Sequence, residues 1–291
     1  MFEMKRIENK NFPHERDLYH TENIHLIECS FDGPEDGESV LKESKNIKLE
    51  HCFMNLRYPL WHDEEVELIN VTMTDKCRAA LWYTHHLKIK NSKLLGIKAL
   101  RECSYVDIQD TSIESPEFGW RSKNISLTRV KIEKSEYLFF EASHLHLNEV
   151  TFTGKYSFQY VEDMEIKNSY LDTKDAFWHS KNVIVKDSVI KGEYLAWYSE
   201  NLTLINCKII GTQPLCYCKN LKLINCVMEQ TDLAFEYSSV EATIQGSILS
   251  VKNPKDGFIE ANEIEEIIIT EDSVYKNNCQ IKVNHKIKVM A

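Results

Sequence analysis

Lys181 to Ser199 reads KNVIVKDSVIKGEYLAWYS, Glu200 to Cys218 reads ENLTLINCKIIGTQPLCYC, and Lys219 to Ser238 reads KNLKLINCVMEQTDLAFEYS. The three stretches align position by position, and the same frame runs back through the chain. The first apolar residue after each turn marks the repeat: Ile24, Ile47, Val66, Leu87, Val106, Ile125, Leu145, Met164, Val183, Leu202, Leu221, Ala242 and Ile267. Self-similarity at a fixed short period is the signature of a solenoid.

Each repeat opens on strict alternation, as in Leu202, Thr203, Leu204, Ile205, which is the period of a strand with one buried face. A small or thiol side chain and then a large apolar one follow at a spacing of two, as in Cys207 with Ile209, Cys226 with Met228 and Ser92 with Leu94. Between these two strands a polar residue recurs (Asn70, Asn91, Asp110, Asn168, Asp187, Asn206, Asn225), of the type that tolerates a left-handed backbone at a corner. After a variable turn a third strand is expected, carrying Leu60, Leu81, Leu100, Phe139, Phe158, Phe177, Leu215 and Phe235. A leucine-rich repeat has a similar period, but the leucine spacing it needs is missing and β-branched and aromatic residues abound.

The fold class expected is therefore all-β: a single-stranded right-handed parallel β-helix of about 13 coils of 19–21 residues, capped at both ends. At about 4.8 Å per coil it would run for roughly 60 Å. The layout is one domain over 1–291, with an N-terminal cap at 1–23, coils over 24–274 and a C-terminal cap at 275–291. Around Asn253, Pro254, Lys255, Asp256 and Gly257 the frame loosens. The alternation of Ile281, Val283, Ile287 and Val289 is expected to close the far end.

Composition agrees with a packed protein: 43% of the 291 residues are hydrophobic and 27% charged. The 45 acidic against 35 basic side chains leave a net charge of −10, which argues against nucleic acid or an anionic membrane as partner. No apolar run is long enough to span a bilayer as a helix, and the start lacks a signal-peptide core, so a cytoplasmic location is expected. Nine cysteines at irregular spacing then read as reduced thiols. Cys29 with Cys52, and Cys207 with Cys226, fall in one inward column. A metal site from Cys207, Cys216, Cys218 and Cys226 would have to join three different columns, so neither metal nor cofactor is expected.

Aligning the coils on their third strand yields two adjacent columns just before the turn. The first holds Lys42, Trp61, Trp82, Arg101, Trp120, Phe140, Gln159, Trp178, Trp197, Cys216 and Glu236, and so all five tryptophans of the chain. The second holds Glu43, His62, Tyr83, Glu102, Arg121, Glu141, Tyr160, His179, Tyr198, Tyr217 and Tyr237. Rings mixed with formal charges are poor material for an apolar core, so most of both columns is placed outside; two adjacent outward residues then require a bend or bulge. The plain reading is a stacked ladder, with Glu102, Arg121 and Glu141 as a surface ion-pair row.

The functional reading is a carbohydrate-binding or carbohydrate-modifying surface, because aromatic platforms among Arg, Glu and Gln suit sugar rings and their hydroxyls. Trp61, Trp82, Tyr83, Arg101, Trp120, Gln159, Tyr160, Trp178, Trp197 and Tyr198 are then candidate substrate-binding residues. If the protein is an enzyme, it would be a hydrolase, lyase or isomerase acting on carbohydrate. Glu102 and Glu141, two rungs or about 9.6 Å apart, would be the catalytic carboxylates of an inverting geometry. Arg121 would hold one of them ionised, and His62 and His179 are candidate proton carriers by residue type. Two alternatives stand beside this: a structural or interaction module whose stripe is a homo-oligomer interface, and a small-molecule enzyme with a pocket around Glu15, Arg16, Glu38, Lys42 and Glu43.

ERDLY at Glu15–Tyr19, DGESVLKE at Asp36–Glu43, RYPLWH at Arg57–His62, ALREC at Ala99–Cys103, DTKDAFWH at Asp172–His179 and GTQPLCYC at Gly211–Cys218 resemble a family over the whole chain. It is a bacterial domain-of-unknown-function family whose right-handed parallel β-helix is pectate-lyase-like in shape. The resemblance implies that fold and carries over no activity, cofactor or site residue. The grouped aspartates by which pectate-lyase-like enzymes hold calcium or perform catalysis have no counterpart in these columns.

Overall fold

The computed structural model describes residues 4–33 and 39–284 and the backbone of 288–289. The described residues form strands and turns with no helix, and all recorded strand pairs are parallel: a β-solenoid of about 14 turns. The chain divides into two compact units, Met1–Thr151 and Phe152–Ala291.

In the first unit the strands Glu22–Ile27, Lys45–Glu50, Glu64–Ile69, His85–Lys90, Ser104–Gln109, Lys123–Thr128 and Ser143–Asn148 pair in succession. The repeat markers are register partners: Ile24 with Ile47, Ile47 with Val66, Val66 with Leu87, Leu87 with Val106, Val106 with Ile125 and Ile125 with Leu145. Their side chains are buried, so each strand's alternation stacks like on like in the interior. The region read as a cap supplies one more strand, Lys5–Glu8, which pairs with Glu22–Ile27.

In the second unit Met164 pairs with Val183 and Val183 with Leu202, but Leu221 pairs with Val240, so the expected marker Ala242, which pairs with Leu223, falls two residues late. The last marker needs correcting too. Ala242 is followed by Ile259, and Ile267 lies opposite Val251 on the next side of the turn. Register shifts between Leu223 and Cys226 and between Ile244 and Ser247 accompany the merging of two sides into the long strands Ser239–Lys252 and Asp256–Ile268. Ile281 and Val283 continue the pairing from Asn278–Val283, Val289 pairs with Ile267, and Ile287 lies outside the described residues.

The polar corner residues behave as their chemistry dictates: Asn70, Asn91, Asp110, Asn168, Asp187, Asn206 and Asn225 all have positive φ. The expected third strand is not a regular strand. Alternate residues along it take positive φ, as at Ala79, Leu81 and Tyr83, or Lys98, Leu100 and Glu102. Backbone hydrogen bonds to both neighbouring turns hold this shape: Leu81 N–H donates to Pro59 O at 2.9 Å and Tyr83 N–H to Arg101 O at 2.9 Å. Its apolar residues Leu60, Leu81, Leu100, Phe139, Phe158, Phe177, Leu215 and Phe235 are nonetheless buried. The reversed φ at every second position is the bend that two adjacent outward columns require.

Candidate functional site

The tryptophan column is anchored from within. Trp61, Trp82 and Trp120 of the first unit donate their indole N–H to the carbonyls of Ala79, Lys98 and Tyr137, the last at 2.7 Å. Trp178 and Trp197 of the second unit donate to Tyr194 and Gln213 at 2.7 and 2.8 Å. Gln159 is buried and does the same with its amide, donating to Asp175 O at 3.1 Å. It fills a tryptophan's place in the column, and its side chain is spent on the backbone.

The ring faces are also taken. Trp61 stacks on Trp82 with centroids 5.0 Å apart and planes 6° apart, and Trp178 stacks on Trp197 at 5.4 Å and 3°. Arg101 lies between Trp82 and Trp120, its guanidinium carbon 4.4 and 4.8 Å from the two ring centroids, and reaches Glu117 at 3.3 Å. These residues form a half-buried cation–π ladder that binds successive turns together. They offer little open face to a sugar.

The second column turns outward. In the first unit His62 stacks on Tyr83 at 4.6 Å and 16°. Further along, Arg121 Nε donates to Glu141 Oε2 at 2.7 Å, and this hydrogen bond, with the charges of Glu141 and then Glu102, raises the arginine's pKa. Glu102 and Glu141 are two turns apart, as expected, and both are exposed. In the second unit Tyr160, His179, Tyr198 and Tyr217 form one row, with centroid spacings of 4.9, 5.1 and 4.7 Å and planes within 11°. Tyr237 continues the row at 5.8 Å, and Tyr275 packs on Tyr237 at 5.4 Å. The Tyr217 hydroxyl is pushed up to about 12 by burial and then by Glu236. Tyr275 escaped the sequence reading because it follows the segment in which the repeat frame dissolves.

Of the residues named for a small-molecule pocket, Glu43 accepts the Tyr19 hydroxyl at 2.7 Å, Glu15 and Arg16 are exposed, and Glu38 lies outside the described residues. A hollow of ≈ 410 Å³ opens over the first strands of the first unit, lined by Lys48, Glu64, Glu67, His86 and Lys88 among others.

Just behind the outward column runs an inward column of small polar residues, Ser44, Asp63, Thr84, Cys103 and Ser122 in the first unit, all buried. Thr84 donates to Leu60 O at 2.7 Å and Cys103 to Leu81 O at 2.8 Å, so each tops up a carbonyl of the preceding turn. Asp63 is the exception: Oδ1 accepts the Ser44 N–H at 2.8 Å, while Oδ2 is buried without a hydrogen-bond partner. Burial pushes its pKa up to about 8, against the Ser44 hydrogen bond, with a smaller push from Glu43.

Eight cysteines are buried and Cys279 is half-buried. Burial pushes Cys52 and Cys218 up to about 11 and Cys77 and Cys103 up to about 12. Cys207 is also raised, first by its hydrogen bond to Cys226 and then by burial. Among the described residues no three His, Cys, Asp or Glu side chains gather as a metal ion would need.

Over residues 5–282 the chain matches the family described as "Protein of unknown function (DUF3737)", and it belongs to that family. None of the curated proteins matches it. Among solved structures it resembles a double mutant of the tailspike protein of E. coli bacteriophage HK620, at 8% identity and a TM-score of 0.48. The match covers 92% of this chain and 62% of the tailspike chain. It also resembles HetL, a pentapeptide repeat protein of the cyanobacterium Nostoc, at 12% identity over 79% of this chain and 86% of that one, TM-score 0.26. A third is the A-module of the Azotobacter vinelandii mannuronan C-5 epimerase AlgE4, at 8% identity over 99% and 87%, TM-score 0.28. At such identities and scores these likenesses carry no argument about activity.

Proposed function

We propose that the protein binds an extended oligosaccharide along its outward column. The observation that carries this is the Tyr160, His179, Tyr198 and Tyr217 row: near-parallel rings at 4.7–5.1 Å, a repeat close to the length of one sugar unit in an extended chain. Tyr160 and Tyr198 are each 47% exposed, so ring edges and hydroxyls reach solvent at regular intervals and can hydrogen-bond a periodic ligand. The reading is of binding rather than bond cleavage. Glu102 and Glu141 are both exposed, and Arg121 already occupies Glu141. The test is a titration of intrinsic fluorescence against a broad panel of oligosaccharides, repeated with Tyr198→Ala and His179→Ala. Binding that either variant weakens supports the reading, and silence across the panel removes it.

A second reading is favoured by the stacking itself. Because the rings of the row cover each other's faces, what remains outside is a flat strip of edges, which also suits a second copy of the chain. Light scattering at high concentration separates the two, since a strict monomer leaves only the first.

A further inference from the structure

We infer that the second unit carries a rail of side-chain amides beside the tyrosine and histidine row, and that this rail selects an oligosaccharide with acetamido groups over one with hydroxyls alone; this rests on the binding reading above. Asn182, Asn201 and Asn220 stand three residues beyond His179, Tyr198 and Tyr217, so rail and rings climb the same turns at the same pitch. Both sit at corners with positive φ, and backbone hydrogen bonds tie each corner to the next turn: His179 N–H donates to Trp197 O and Asn201 N–H to Lys219 O, both at 3.0 Å. All three asparagines are exposed. The column between rings and rail is Glu162, Lys181, Glu200 and Lys219, whose formal charges cancel, with Lys181 Nζ 3.3 Å from Glu162. Such a strip suits a neutral chain better than an acidic one.

Within the rail Asn220 donates to Asn201 and Asn201 to Asn182, each at 2.8 Å, and Asn182 donates to Asp163 at 2.9 Å. A side-chain amide has two N–H donors and one oxygen. One N–H of each asparagine is therefore spent along the rail, and the other has no partner among the described residues. Asn201 and Asn182 also accept at the oxygen, which makes their leftover N–H a stronger donor. The rail is open at its other end, where the Asn220 oxygen accepts no hydrogen bond among the described residues. An acetamido group answers both needs: its carbonyl accepts from the outward N–H groups, and its own N–H can donate to Asn220 Oδ1 as one more amide of the series. In an extended β-1,4-linked chain successive units face opposite ways, so acetamido groups return to one side every second turn, roughly 9.6 Å apart, the interval from Asn182 to Asn220. The exposed edges and hydroxyls of the tyrosines would meet the sugar hydroxyls, and the stacked ring faces stay covered.

The experiment uses the full chain with two probes that share a β-1,4 backbone, tetra-N-acetylchitotetraose and cellotetraose, read by calorimetry and intrinsic fluorescence. The acetylated probe is expected to bind about tenfold tighter, the scale of one or two neutral hydrogen bonds. Asn182→Ala and Asn220→Ala should each remove most of that ratio. Asn225→Ala interrupts a separate amide series, in which Asn225 donates to Asn206 at another corner, and should keep the ratio, so loss of a ligand contact is told apart from a weakened solenoid. Equal affinity for the two probes in the unaltered protein overturns the rail and leaves the oligosaccharide reading standing. An acetyl preference that survives both rail substitutions, or that falls as far with Asn225→Ala, overturns it as well. Binding of neither probe also overturns the rail, and silence across the wider panel of oligosaccharides removes the binding reading with it.

Discussion

Replacing Asp63 by asparagine should stabilise the protein at alkaline pH and do progressively less as the pH falls. The carboxyl is 1% exposed, one oxygen has a single hydrogen bond, and the other has none. Burial lifts its pKa from 3.8 to about 8. An acid whose folded pKa lies above its unfolded value contributes its full stability below the unfolded pKa. That contribution drains away as the pH rises, because the unfolded chain releases a proton that the folded chain must keep. Each pH unit between roughly 4 and 8 costs about 1.4 kcal/mol, on the order of 5 kcal/mol in all. Between pH 5 and 8 alone the wild-type protein should lose about 4 kcal/mol from this group. The substituted amide does not titrate, and its oxygen can still accept the Ser44 N–H. Urea unfolding followed by tryptophan fluorescence at one-unit steps from pH 5 to 9 gives both curves. The stability of Asp63→Asn minus that of the wild type should climb through this range and level off above pH 8. Parallel curves would mean that Asp63 ionises freely in the fold, and that the lone oxygen has a partner or solvent route the geometry does not contain.

Three further outcomes follow from the interior. With native protein at pH 8, a thiol reagent should modify at most Cys279, and slowly, since even that thiol is raised to about 11 by burial; denaturation should release all nine. Trp197→Phe keeps a stacking ring but orphans the Gln213 carbonyl, and should lower stability by about 1–2 kcal/mol in a denaturant titration. Gly211→Ala should be far more damaging, visible as a large fall in melting temperature or loss of soluble protein. Its Cβ would collide with the backbone carbonyl of Gly192 at a φ of 134° that suits only glycine.

The period was readable because inward apolar residues must stack, and the marker residues are register partners from Ile24 to Leu145 in one unit and from Met164 to Leu202 in the other, with Leu204 on Leu223 carrying the same register one turn further. From Ala242 onward the same logic misled, since Leu221 pairs with Val240. Ile264, Ile267 and Ile268 imitate a marker strand, whereas the true partner, Ile259, follows Gly257, whose φ of 96° lets the backbone pass close to Val240. The third side was invisible for a different reason: Leu81, Tyr83 and Phe177 are not residues that seek positive φ, and hydrogen bonds between turns impose it. For the site, alignment correctly made Tyr160, His179 and Tyr198 neighbours. It could not tell that the tryptophans would close on one another and on Arg101, because column membership fixes proximity and says nothing of ring tilt.

Two rows of amides flank the strands of the second unit. Asn220 donates to Asn201, Asn201 to Asn182 and Asn182 to Asp163, while Asn225 donates to Asn206 and Asn206 to Asp187. Every donor points the same way, and each row terminates on a carboxylate, which strengthens the chain of dipoles behind it. Such rows survive the loss of a whole turn. Excising residues 200–218 would bring Asn220 onto Asn182 and Asn225 onto Asp187 with both rows shortened but continuous, whereas losing a single residue within a strand would swing its inward side chains to the outer face. Lineages of this fold should therefore lengthen and shorten by complete windings.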